Sequence, residues 1–314
     1  MACTVEKWET RSLQRTRSVG SLLWRSVTIF LTLLLASSTF LYGAEPNAVV
    51  VIVPVANMHS AANENSDVVS QAIYGTNLSL TEQGSEWVKV RTPDQYNGWM
   101  KLDEVRKLTS ADGRYAQVGR VVQVSSIMAN LYREPDVTMH QPLATVPFET
   151  RLEEVAEGKA NDNGWLQLRL PDQGTAWIQI GDVNLEPHLL TIKDSITLAR
   201  RFVGLTYTWG GTSSSGYDCS GFTQMLVRSR GIIMPRDADM QAAWEGMVAI
   251  SRKQLRAGDL LFFGSSAHNL THTGMYIGHG RFIHDTTYGH PGVQISRLRD
   301  QPWTRLLAAC RRIK

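Results

Sequence analysis

Alternating apolar and polar residues run through the middle of the chain and predict short, half-buried β-strands. Val88 and Val90 flank a lysine, and Leu166 and Leu168 flank a glutamine 78 positions further along. A period of two residues is typical of a strand with one face against a core. Pro-Asp followed by Asn-Gly or Gly-Thr supplies turn residues between these strands. The pattern therefore indicates an all-β region built from hairpins.

These strands belong to an internal repeat. Residues 86–105 (EWVKVRTPDQYNGWMKLDEV) align without a gap with residues 164–183 (GWLQLRLPDQGTAWIQIGDV). Two such units predict two small β-barrels, over residues 45–115 and 116–188. Tryptophans recur at matching positions, and we expect them to lie in the barrel cores: Trp87, Trp99, Trp165 and Trp177.

One position breaks the repeat, because Tyr96 in the first unit corresponds to Gly174 in the second. A tyrosine at the tip of a turn has no evident packing partner within the unit. Two interpretations stay open. Tyr96 is either a tolerated surface residue or a recognition side chain that only the first unit needs.

The apolar spacing becomes helical from about Thr191 onward. Asp194 is a candidate N-cap of a helix that places Ile196, Ala199 and Phe202 on one face. A helix that begins here opens a C-terminal region of mixed helices and strands.

A second helix is predicted directly after Asp218, whose carboxylate can accept hydrogen bonds from the amides of the following turn. Cys219 is then the first helical residue, and Phe222 and Met225 share the buried face below it. A helix N-terminus and a nearby imidazolium both lower the pKa of a thiol, to about 3.5–7.5 in known cases. This placement favours a nucleophilic cysteine.

A strand–turn–strand pattern brings two histidines together. The turn at residues 278–280 predicts a hairpin in which His284 lies opposite Gly274 and diagonal to His272. Gly274 leaves space for one imidazole to contact the other. A thiol nucleophile at Cys219, a base at His272 and an orienting group at His284 indicate acyl-transfer chemistry, most simply peptide hydrolysis.

The formal net charge of +3 comes from residues 1–44, and the remainder of the chain is neutral. No basic patch indicates a nucleic-acid partner. A basic region ending at Arg25, an apolar run over residues 27–36 and small residues up to Ala44 are typical of an export signal. We expect residues 1–44 to be a signal peptide, or alternatively an anchor through residues 27–43. Either places the body of the protein in the periplasm or outside the cell.

Three cysteines do not form a disulfide framework. Cys3 would leave with the signal. Cys310 ends an apolar run and is expected to be a small buried hydrophobe. Cys219 is thus the one thiol with a chemical role to explain.

Residues 190–314 resemble the NlpC-type cell-wall cysteine peptidases, a papain-like α+β family. The motifs that carry the resemblance are YTWGG at 207–211, DCSGF at 218–222, PRD at 235–237, Gln241, GDLLFF at 258–263 and both histidine segments. The two β units resemble bacterial SH3-like domains, which often accompany cell-wall enzymes. The resemblance implies an α+β papain-like catalytic domain over residues 189–314, preceded by two small all-β SH3-like barrels.

With two SH3-like domains, the chain is most similar to the γ-D-glutamyl-L-diamino acid endopeptidases of that family. The resemblance implies hydrolysis of the γ-D-glutamyl-L-diamino acid bond in peptidoglycan stem peptides with a free N-terminal L-Ala. It places nucleophile, base and third residue on Cys219, His272 and His284. It also assigns recognition of the free amine to Asp218 and Tyr96.

Further substrate-contacting positions of the family fall on Tyr207, Ser220 and Arg236, and Arg236 is suited to a substrate carboxylate. Ala238 departs from the family, whose members usually carry a serine there. Glu64 is a candidate for an acidic residue that the family takes from its first barrel.

Several alternatives stay open. One is a lytic endopeptidase or amidase that acts on intact cell wall, and another is a wall-binding protein with a decayed catalytic domain. A zinc site built from Cys219, His272 and His284 has suitable ligand types but no evident fourth ligand. His268 is a rival base in a Ser/Asn-rich loop. We expect no cofactor, no metal and no protein partner, only peptidoglycan stem peptides as substrate.

Overall fold

A computed structural model describes residues 47–155 and 164–314. The export signal predicted over residues 1–44 lies outside the described residues. Within the described residues, no helix combines the length and the apolar character that a bilayer crossing requires.

The first β region is a seven-stranded antiparallel sheet. Its strands are β1 (Ala48–Val51), β2 (Val55–His59), β3 (Val68–Ile73), β4 (Asn77–Gln83), β5 (Trp87–Arg91), β6 (Asn97–Lys101) and β7 (Val105–Lys107). They lie in the order β3-β2-β6-β5-β4-β1-β7, so β3 and β7 are edges. Over the described residues β3 and β7 do not pair with each other, so the sheet is open. The prediction of a closed barrel from the repeat is therefore not met. Its core contains Met58, Val88, Val90 and Met100.

The second β region has a core of its own and two sheets. Its strands are β8 (Val121–Val124), β9 (Met128–Leu131), β10 (Ala144–Pro147), β11 (Arg151–Glu154), β12 (Trp165–Arg169), β13 (Thr175–Gln179) and β14 (Val183–Asn184). Five strands lie in the order β13-β12-β11-β8-β14, while β9 and β10 form a separate pair. A bridge between Tyr132 and Trp177 links the pair to β13. Within the described part of the chain these strands also form open sheets.

The repeated hairpin is reproduced residue for residue. Trp87 pairs with Lys101 across β5 and β6, and Trp165 pairs with Gln179 across β12 and β13. The offset of 78 positions therefore holds in space as well as in sequence. The two regions also interlock, because the Tyr74 side chain of the first region packs into the core of the second.

The prediction that all four repeated tryptophans are core residues is wrong for three of them. Trp165 is buried, but Trp87, Trp99 and Trp177 are only half-buried. The strand alternation turns these three to the outer face, where the Lys89 ammonium lies 5.6 Å from the centre of the Trp99 ring. Smaller aliphatic residues between them fill the cores instead.

The C-terminal region is α+β. Its helices are α1 (Ile192–Arg201), α2 (Cys219–Arg228), α3 (Ala238–Ala243) and α4 (Trp303–Leu306), and its strands are β15 (Thr212–Ser213), β16 (Gly216–Tyr217), β17 (Met247–Ala249), β18 (Leu260–Ser266), β19 (Asn269–Gly278), β20 (Arg281–Thr286), β21 (Gly292–Arg297) and β22 (Leu307–Ile313). Six strands form one sheet in the order β17-β22-β18-β19-β20-β21.

The two faces of this sheet have separate cores. On one face α2 packs through Phe222, Met225 and Leu226 against Met275 and Ile277. The opposite face is covered by an aromatic cluster with Phe263, Phe282 and Trp303, and it includes Cys310. The prediction that Cys310 is a buried small hydrophobe is confirmed.

Helix α1 begins one turn earlier than predicted. Thr191, and not Asp194, is its N-cap, because the Thr191 hydroxyl accepts a hydrogen bond from the Asp194 amide at 3.2 Å. Threonine and aspartate are both good caps, and their spacing of three residues lets either side chain play this part in a sequence-based prediction.

Candidate active site

Cys219 is the first residue of α2, as predicted. Asp218 is the N-cap, and its Oδ1 accepts a hydrogen bond from the Gly221 amide at 2.7 Å. A Cβ on Gly221 would stand 2.1 Å from the Gly211 carbonyl oxygen, so only glycine lets this loop cross the helix start. The loop buries the first turn of α2 and leaves Cys219 only 8% exposed.

The two histidines meet as the hairpin predicted. Met275 pairs with Ile283, which is the predicted register, and a Cβ on Gly274 would stand 2.8 Å from the His284 Cβ. His272 Nε2 and His284 Nδ1 are 2.7 Å apart. Since this contact occupies Nε2 of His272, Nδ1 is the nitrogen left to exchange a proton with a nucleophile.

A residue that the sequence did not reveal completes this pair. The Ser296 hydroxyl on β21 lies 2.9 Å from His284 Nε2. Both ring nitrogens of His284 are thus fixed, which holds the ring in one orientation. The adjacent pairing of His284 with Gln294 could have suggested a β21 partner, but only once the β20–β21 register was known.

Burial keeps the histidine pair neutral. It lowers the pKa of His272 to about 4, although the Asp218 charge acts in the opposite direction. Burial lowers the pKa of His284 as well, and the neighbouring His272 adds to this effect. A neutral His272 is in the right state to accept a proton at ordinary pH.

The state of the thiol differs from the expectation drawn from the helix N-terminus. Burial raises the pKa of Cys219 to about 12, and the Asp218 charge adds to the increase. The Thr273 backbone amide and the Arg236 charge lower this pKa, but by less. The Thr273 interaction also places the Cys219 sulfur next to β19, one residue along the strand from His272.

Arg236, which is predicted to bind a substrate carboxylate, is buried beside Asp218. The guanidinium is 2% exposed and donates to both oxygens of Asp218, at 2.6 and 3.1 Å. It also donates to the Ser220 hydroxyl at 2.8 Å, and that hydroxyl donates to Asp218 Oδ1 at 3.1 Å. Arg236 therefore holds Asp218 and Ser220 in place, and its contact with a substrate carboxylate stays a prediction.

Tyr96 reaches the catalytic region, but through a partner that the sequence did not suggest. Its hydroxyl donates to Asp237 Oδ2 at 3.1 Å. Asp218 lies close enough for its charge to act on Tyr96, while burial is the main reason that the pKa of Tyr96 rises to about 12. Tyr96 and Asp218 therefore lie close to each other. Asp237 of the C-terminal α+β region is the residue that Tyr96 of the first β region contacts directly.

Tyr207 also lies at this site. Burial raises its pKa, and the next largest contribution comes from Cys219, followed by Asp218. The Tyr207 hydroxyl is therefore within electrostatic reach of the nucleophile and of the cap carboxylate. These positions make the segment before α2 one wall of the candidate site.

Comparison with known proteins decides the family. The family model for NlpC/P60 matches residues 204–312, and a bacterial SH3 domain model matches residues 54–105. A gamma-D-glutamyl-L-lysine dipeptidyl-peptidase from Bacillus subtilis is 30% identical over 78% of this chain and 81% of its own length. The chain belongs to the NlpC/P60 family.

Other relatives agree with this assignment. A gamma-D-glutamyl-L-lysine dipeptidyl-peptidase from Bacillus cereus is 32% identical over 68% of the chain, and the match spans 66% of that relative, just under two thirds. A crystal structure of an NlpC/P60 family protein from Bacillus cereus superposes with a TM-score of 0.71 at 26% identity, over 85% of this chain and 99% of that one. The chain is a peptidase and therefore a hydrolase.

Sequence analysis also named Glu64, His268 and Ala238. In this NlpC/P60 peptidase the first two are exposed, and the third has no polar group to offer a substrate. Glu64 is exposed and forms an ion pair with Lys101, so the structure does not bring it to Cys219. His268 is exposed in the turn between β18 and β19. Ala238 begins α3 and is buried, and its methyl group offers no hydrogen bond.

Side chains that sequence reasoning did not identify join the first β region to β15 and to the middle of α2. Gln71 Oε1 accepts from the Thr212 amide at 3.1 Å and from the Ser213 hydroxyl at 3.0 Å. Asp94 Oδ2 accepts from Gln224 Nε2 at 3.0 Å. Among the residues that the structure describes, no group of three or more His, Cys, Asp or Glu side chains is arranged to hold a metal ion.

Proposed function

We propose that this NlpC/P60 peptidase is a cysteine endopeptidase that cuts the γ-D-glutamyl-L-diamino acid bond of peptidoglycan stem peptides with a free N-terminal L-Ala. The observation that carries the proposal is the hydrogen bond from Tyr96 to Asp237 beside Asp218 and Cys219. This hydrogen bond places Tyr96 of the first β region at the edge of the proposed substrate site, beside the start of α2. The names of the two Bacillus relatives support the same bond class.

In the proposed reaction the Cys219 sulfur attacks the γ-carbonyl carbon of D-glutamate while its proton passes to His272 Nδ1. The developing oxyanion faces the N-terminal end of α2, where backbone amides favour negative charge. His272 then gives its proton to the leaving amine of the diamino acid, and a thioester remains on Cys219. His284, fixed by Ser296, keeps the His272 ring oriented in both steps.

Water resolves the thioester. His272 takes a proton from the water, whose oxygen attacks the thioester carbonyl, and returns it to the departing sulfur. The products are L-Ala-D-Glu and the remainder of the stem beginning with the diamino acid. Tyr207 and Ser220 line the acyl side of this proposed site, next to Asp218.

Recognition of a free amine follows from the charges in this wall. Asp218 is compensated by Arg236, whereas Asp237 has the Tyr96 hydroxyl as its partner and no ion pair within residues 47–155 and 164–314. A peptide ammonium would give Asp237 a direct ion-pair partner, in addition to the Arg236 charge that already acts on this carboxylate. An N-acetylated peptide carries no charge at this position, so it loses the charge-assisted contact with the half-buried Asp237 carboxylate, at a cost of about 1–3 kcal/mol.

The proposal extends to the organisation of the chain. Residues 45–115 and 116–188 are two SH3-like domains, residues 189–314 are the catalytic domain, and residues 1–44 direct export to the periplasm or cell exterior. The equal hairpin registers of the two β regions support the second SH3-like assignment. The processed N-terminus of the protein recovered from its host tests the export step.

The reaction is tested by digesting L-Ala-γ-D-Glu-L-Lys and its diaminopimelate counterpart and identifying the products by mass spectrometry. We expect L-Ala-D-Glu and the free diamino acid from the wild-type enzyme and neither from Cys219→Ala. Cleavage at another bond contradicts the proposal. Faster release of peptides from intact cell wall than from free stems would instead favour a lytic enzyme.

A further inference from the structure

Trp303, the first residue of α4, lies against both histidines of the candidate site, and the proposed reaction gives it no part. The centre of its ring is 5.2 Å from that of His272 and 4.7 Å from that of His284. Within residues 47–155 and 164–314, no other ring contacts both imidazoles. A side chain placed in this way can fix one imidazole relative to the other.

The two imidazoles differ in how firmly their hydrogen bonds hold them. His284 is bonded at both ring nitrogens, to His272 at 2.7 Å and to Ser296 at 2.9 Å. Over the described part of the chain, the His272 ring has one hydrogen bond, at Nε2, and the proposed reaction requires Nδ1 to stay free for the thiol proton. The outer torsion of a histidine side chain has broad minima, so one hydrogen bond does not fix the tilt of the ring. The direction of Nδ1 therefore needs a second restraint.

Two aromatic rings supply this restraint by packing on His272. Phe263, its direct neighbour across β18 and β19, has its ring centre at 5.6 Å. The Trp303 ring is inclined by 31° to His272 and stands at 90° to His284, while the two imidazoles are inclined by 74° to each other. Trp303 thus stacks obliquely on one imidazole and meets the other edge to face. Rotation of either imidazole would drive it into the indole, because protein interiors are closely packed.

Trp303 is itself held firmly and is closed to the substrate. Its ring makes edge contacts with Phe263 at 5.3 Å and with Phe282 at 5.5 Å, and only 5% of the residue is exposed. Tyr288 packs on it from the loop between β20 and β21, with a distance of 5.6 Å between ring centres. Because so little of its surface reaches solvent, Trp303 acts on the reaction through the histidines and not by touching the peptide.

We propose that Trp303 is a positioning residue, which keeps Nδ1 of His272 directed at the Cys219 thiol and keeps water from the packed face of the histidine pair. The inference rests on the proposed roles of Cys219 as nucleophile and His272 as base. Once His272 has taken the thiol proton, the indole also lies within the distance, about 6 Å, at which an aromatic face attracts a cation. Both effects favour the proton transfer, whereas the proposed contacts to the peptide amine, Tyr96 and Asp237, belong to other elements. Loss of Trp303 should therefore lower kcat and leave KM nearly unchanged.

The groups around His272 determine the sign of the pH effect. The Asp218 charge at the N-cap of α2 raises the pKa of His272, and His284 on β20 is its hydrogen-bond partner. β18 and α4 present apolar rings to it, those of Phe263 and Trp303. Burial is the largest influence and lowers the pKa of His272 to about 4. A smaller side chain at position 303 would admit water to the ring, so this pKa should rise toward the ordinary histidine value of about 6.5. The neutral base is then lost at a higher pH than in wild type.

The enzymatic test compares kcat and KM of wild type, Trp303→Leu, Trp303→Phe and Trp177→Leu on L-Ala-γ-D-Glu-L-Lys from about pH 3.5 to about pH 8. Trp177 is the matched control, because it is half-buried on the outer face of β13 in the second β region. We expect Trp303→Leu to lower kcat at about pH 7 at least about tenfold with KM within about twofold, and Trp303→Phe, which keeps a ring, to lie between it and wild type. The low-pH midpoint of kcat/KM should move up by at least about one unit in Trp303→Leu and stay in place in Trp177→Leu. Ionisation of the substrate affects all four enzymes alike.

Three outcomes of this comparison overturn the proposal. The first is a Trp303→Leu enzyme with the kcat and the low-pH midpoint of wild type. The second is a rise in KM with unchanged kcat, which would mean that Trp303 contacts the peptide. The third is a lower kcat with an unmoved midpoint, which would show that Trp303 only supports the fold.

A second measurement needs no variant and no activity. In wild-type protein labelled at the histidine rings, nuclear Overhauser contacts should join the Trp303 indole protons to ring protons of both His272 and His284. Nitrogen-15 shifts should show a single tautomer of His272 with its proton on Nε2. Absence of the indole contacts, or a mixture of His272 tautomers, overturns the proposal even where the variants fail to fold. Failure of the wild-type enzyme to cleave the peptide at any pH would defeat the proposed function, while the NMR contacts would still decide whether Trp303 positions the pair.

Discussion

The Tyr96 hydroxyl lies 3.1 Å from Oδ2 of Asp237, and this hydrogen bond spans 141 positions of sequence to join the first β region to the catalytic region. It explains why a tyrosine breaks the internal repeat at this turn. The second β region has Gly174 at the matching position, whose neighbours are atoms of Asp172 in its own turn.

Loss of the Tyr96 hydroxyl should weaken binding of peptides with a free amine. For Tyr96→Phe we expect KM for such peptides to rise about tenfold or more, because hydrogen bonds to charged groups contribute ~1.5–3 kcal/mol. Steady-state kinetics on free and N-acetylated peptides measure the effect. Tyr132→Phe removes a hydroxyl from the second β region and is the matched control. Equal losses on both peptides would mean that Tyr96 only attaches the domains.

Removal of the Ser296 hydroxyl should loosen His284 and lower kcat. General acid–base catalysis contributes about 10²–10⁴-fold, and an indirect orienting contact should account for about tenfold of this. We expect Ser296→Ala to lower kcat with little change in KM, whereas Ser85→Ala, at an exposed serine, should change neither. A rise in KM alone would show that Ser296 acts on substrate binding rather than on the histidine pair.

Gly274 should not tolerate a side chain. The added Cβ of Gly274→Ala would lie 2.8 Å from the His284 Cβ and 3.0 Å from the Ile283 carbonyl oxygen. We expect a loss of about 1–3 kcal/mol of unfolding free energy and a clear loss of activity. Gly181→Ala is the control, because its Cβ would meet no atom within 4 Å. Thermal denaturation of the two variants measures the difference in stability. Equal Tm values for Gly274→Ala and Gly181→Ala would contradict the packing described for the histidine pair.

The buried ion pair should be far more sensitive than an exposed one. Arg236→Ala leaves the Asp218 charge buried without its partner, which typically costs about 3–5 kcal/mol. Arg299→Ala removes an exposed partner of Asp300 and should cost about 0–1 kcal/mol. Denaturant titration of the two variants tests this difference. A small effect at Arg236 would mean that its guanidinium is available for substrate after all.

The thiol of the unliganded enzyme should react slowly at neutral pH. Burial raises the pKa of Cys219, so little thiolate is present, and alkylation should accelerate as the pH rises toward about 12. Peptide mapping after timed iodoacetamide treatment follows Cys219 separately from the other cysteines. Rapid alkylation that is independent of pH above about 6 would instead reveal a preformed thiolate–imidazolium pair.

The decline of activity at low pH should also be set by burial, in this case burial of the base His272. Burial lowers the pKa of His272 to about 4, so the base stays neutral well below the ordinary histidine range. We expect kcat/KM to decline only as the pH falls toward about 4, provided the fold persists. A decline centred near about pH 6.5 would indicate a solvent-exposed base.

Local features of this chain could be predicted from sequence because they depend on neighbouring residues. The Asp218 cap, the register that pairs Met275 with Ile283 and the contact of His272 with His284 all follow from one turn and one spacing. The repeat likewise predicted matching hairpins, and their registers match. Each of these needs only the covalent geometry of a helix start or a hairpin.

Contacts between distant segments could not be predicted in this way. The ion pair of Arg236 with Asp218 and the hydrogen bond of Tyr96 with Asp237 depend on how separate elements dock. The outward tryptophans show a further limit, since a repeated aromatic residue fits a half-buried strand face as well as a core. Ser296 carries no motif, and its role emerges only from the pairing of β20 with β21.

The most direct test of the central claim is the ratio of kcat/KM for L-Ala-γ-D-Glu-L-Lys with a free and with an acetylated N-terminus. A site that pairs the half-buried Asp237 carboxylate with the ammonium should favour the free peptide by at least ~10²-fold, and Cys219→Ala should cleave neither. Equal values for the two peptides would contradict recognition of the free amine at the wall formed by Tyr96, Asp237 and Asp218.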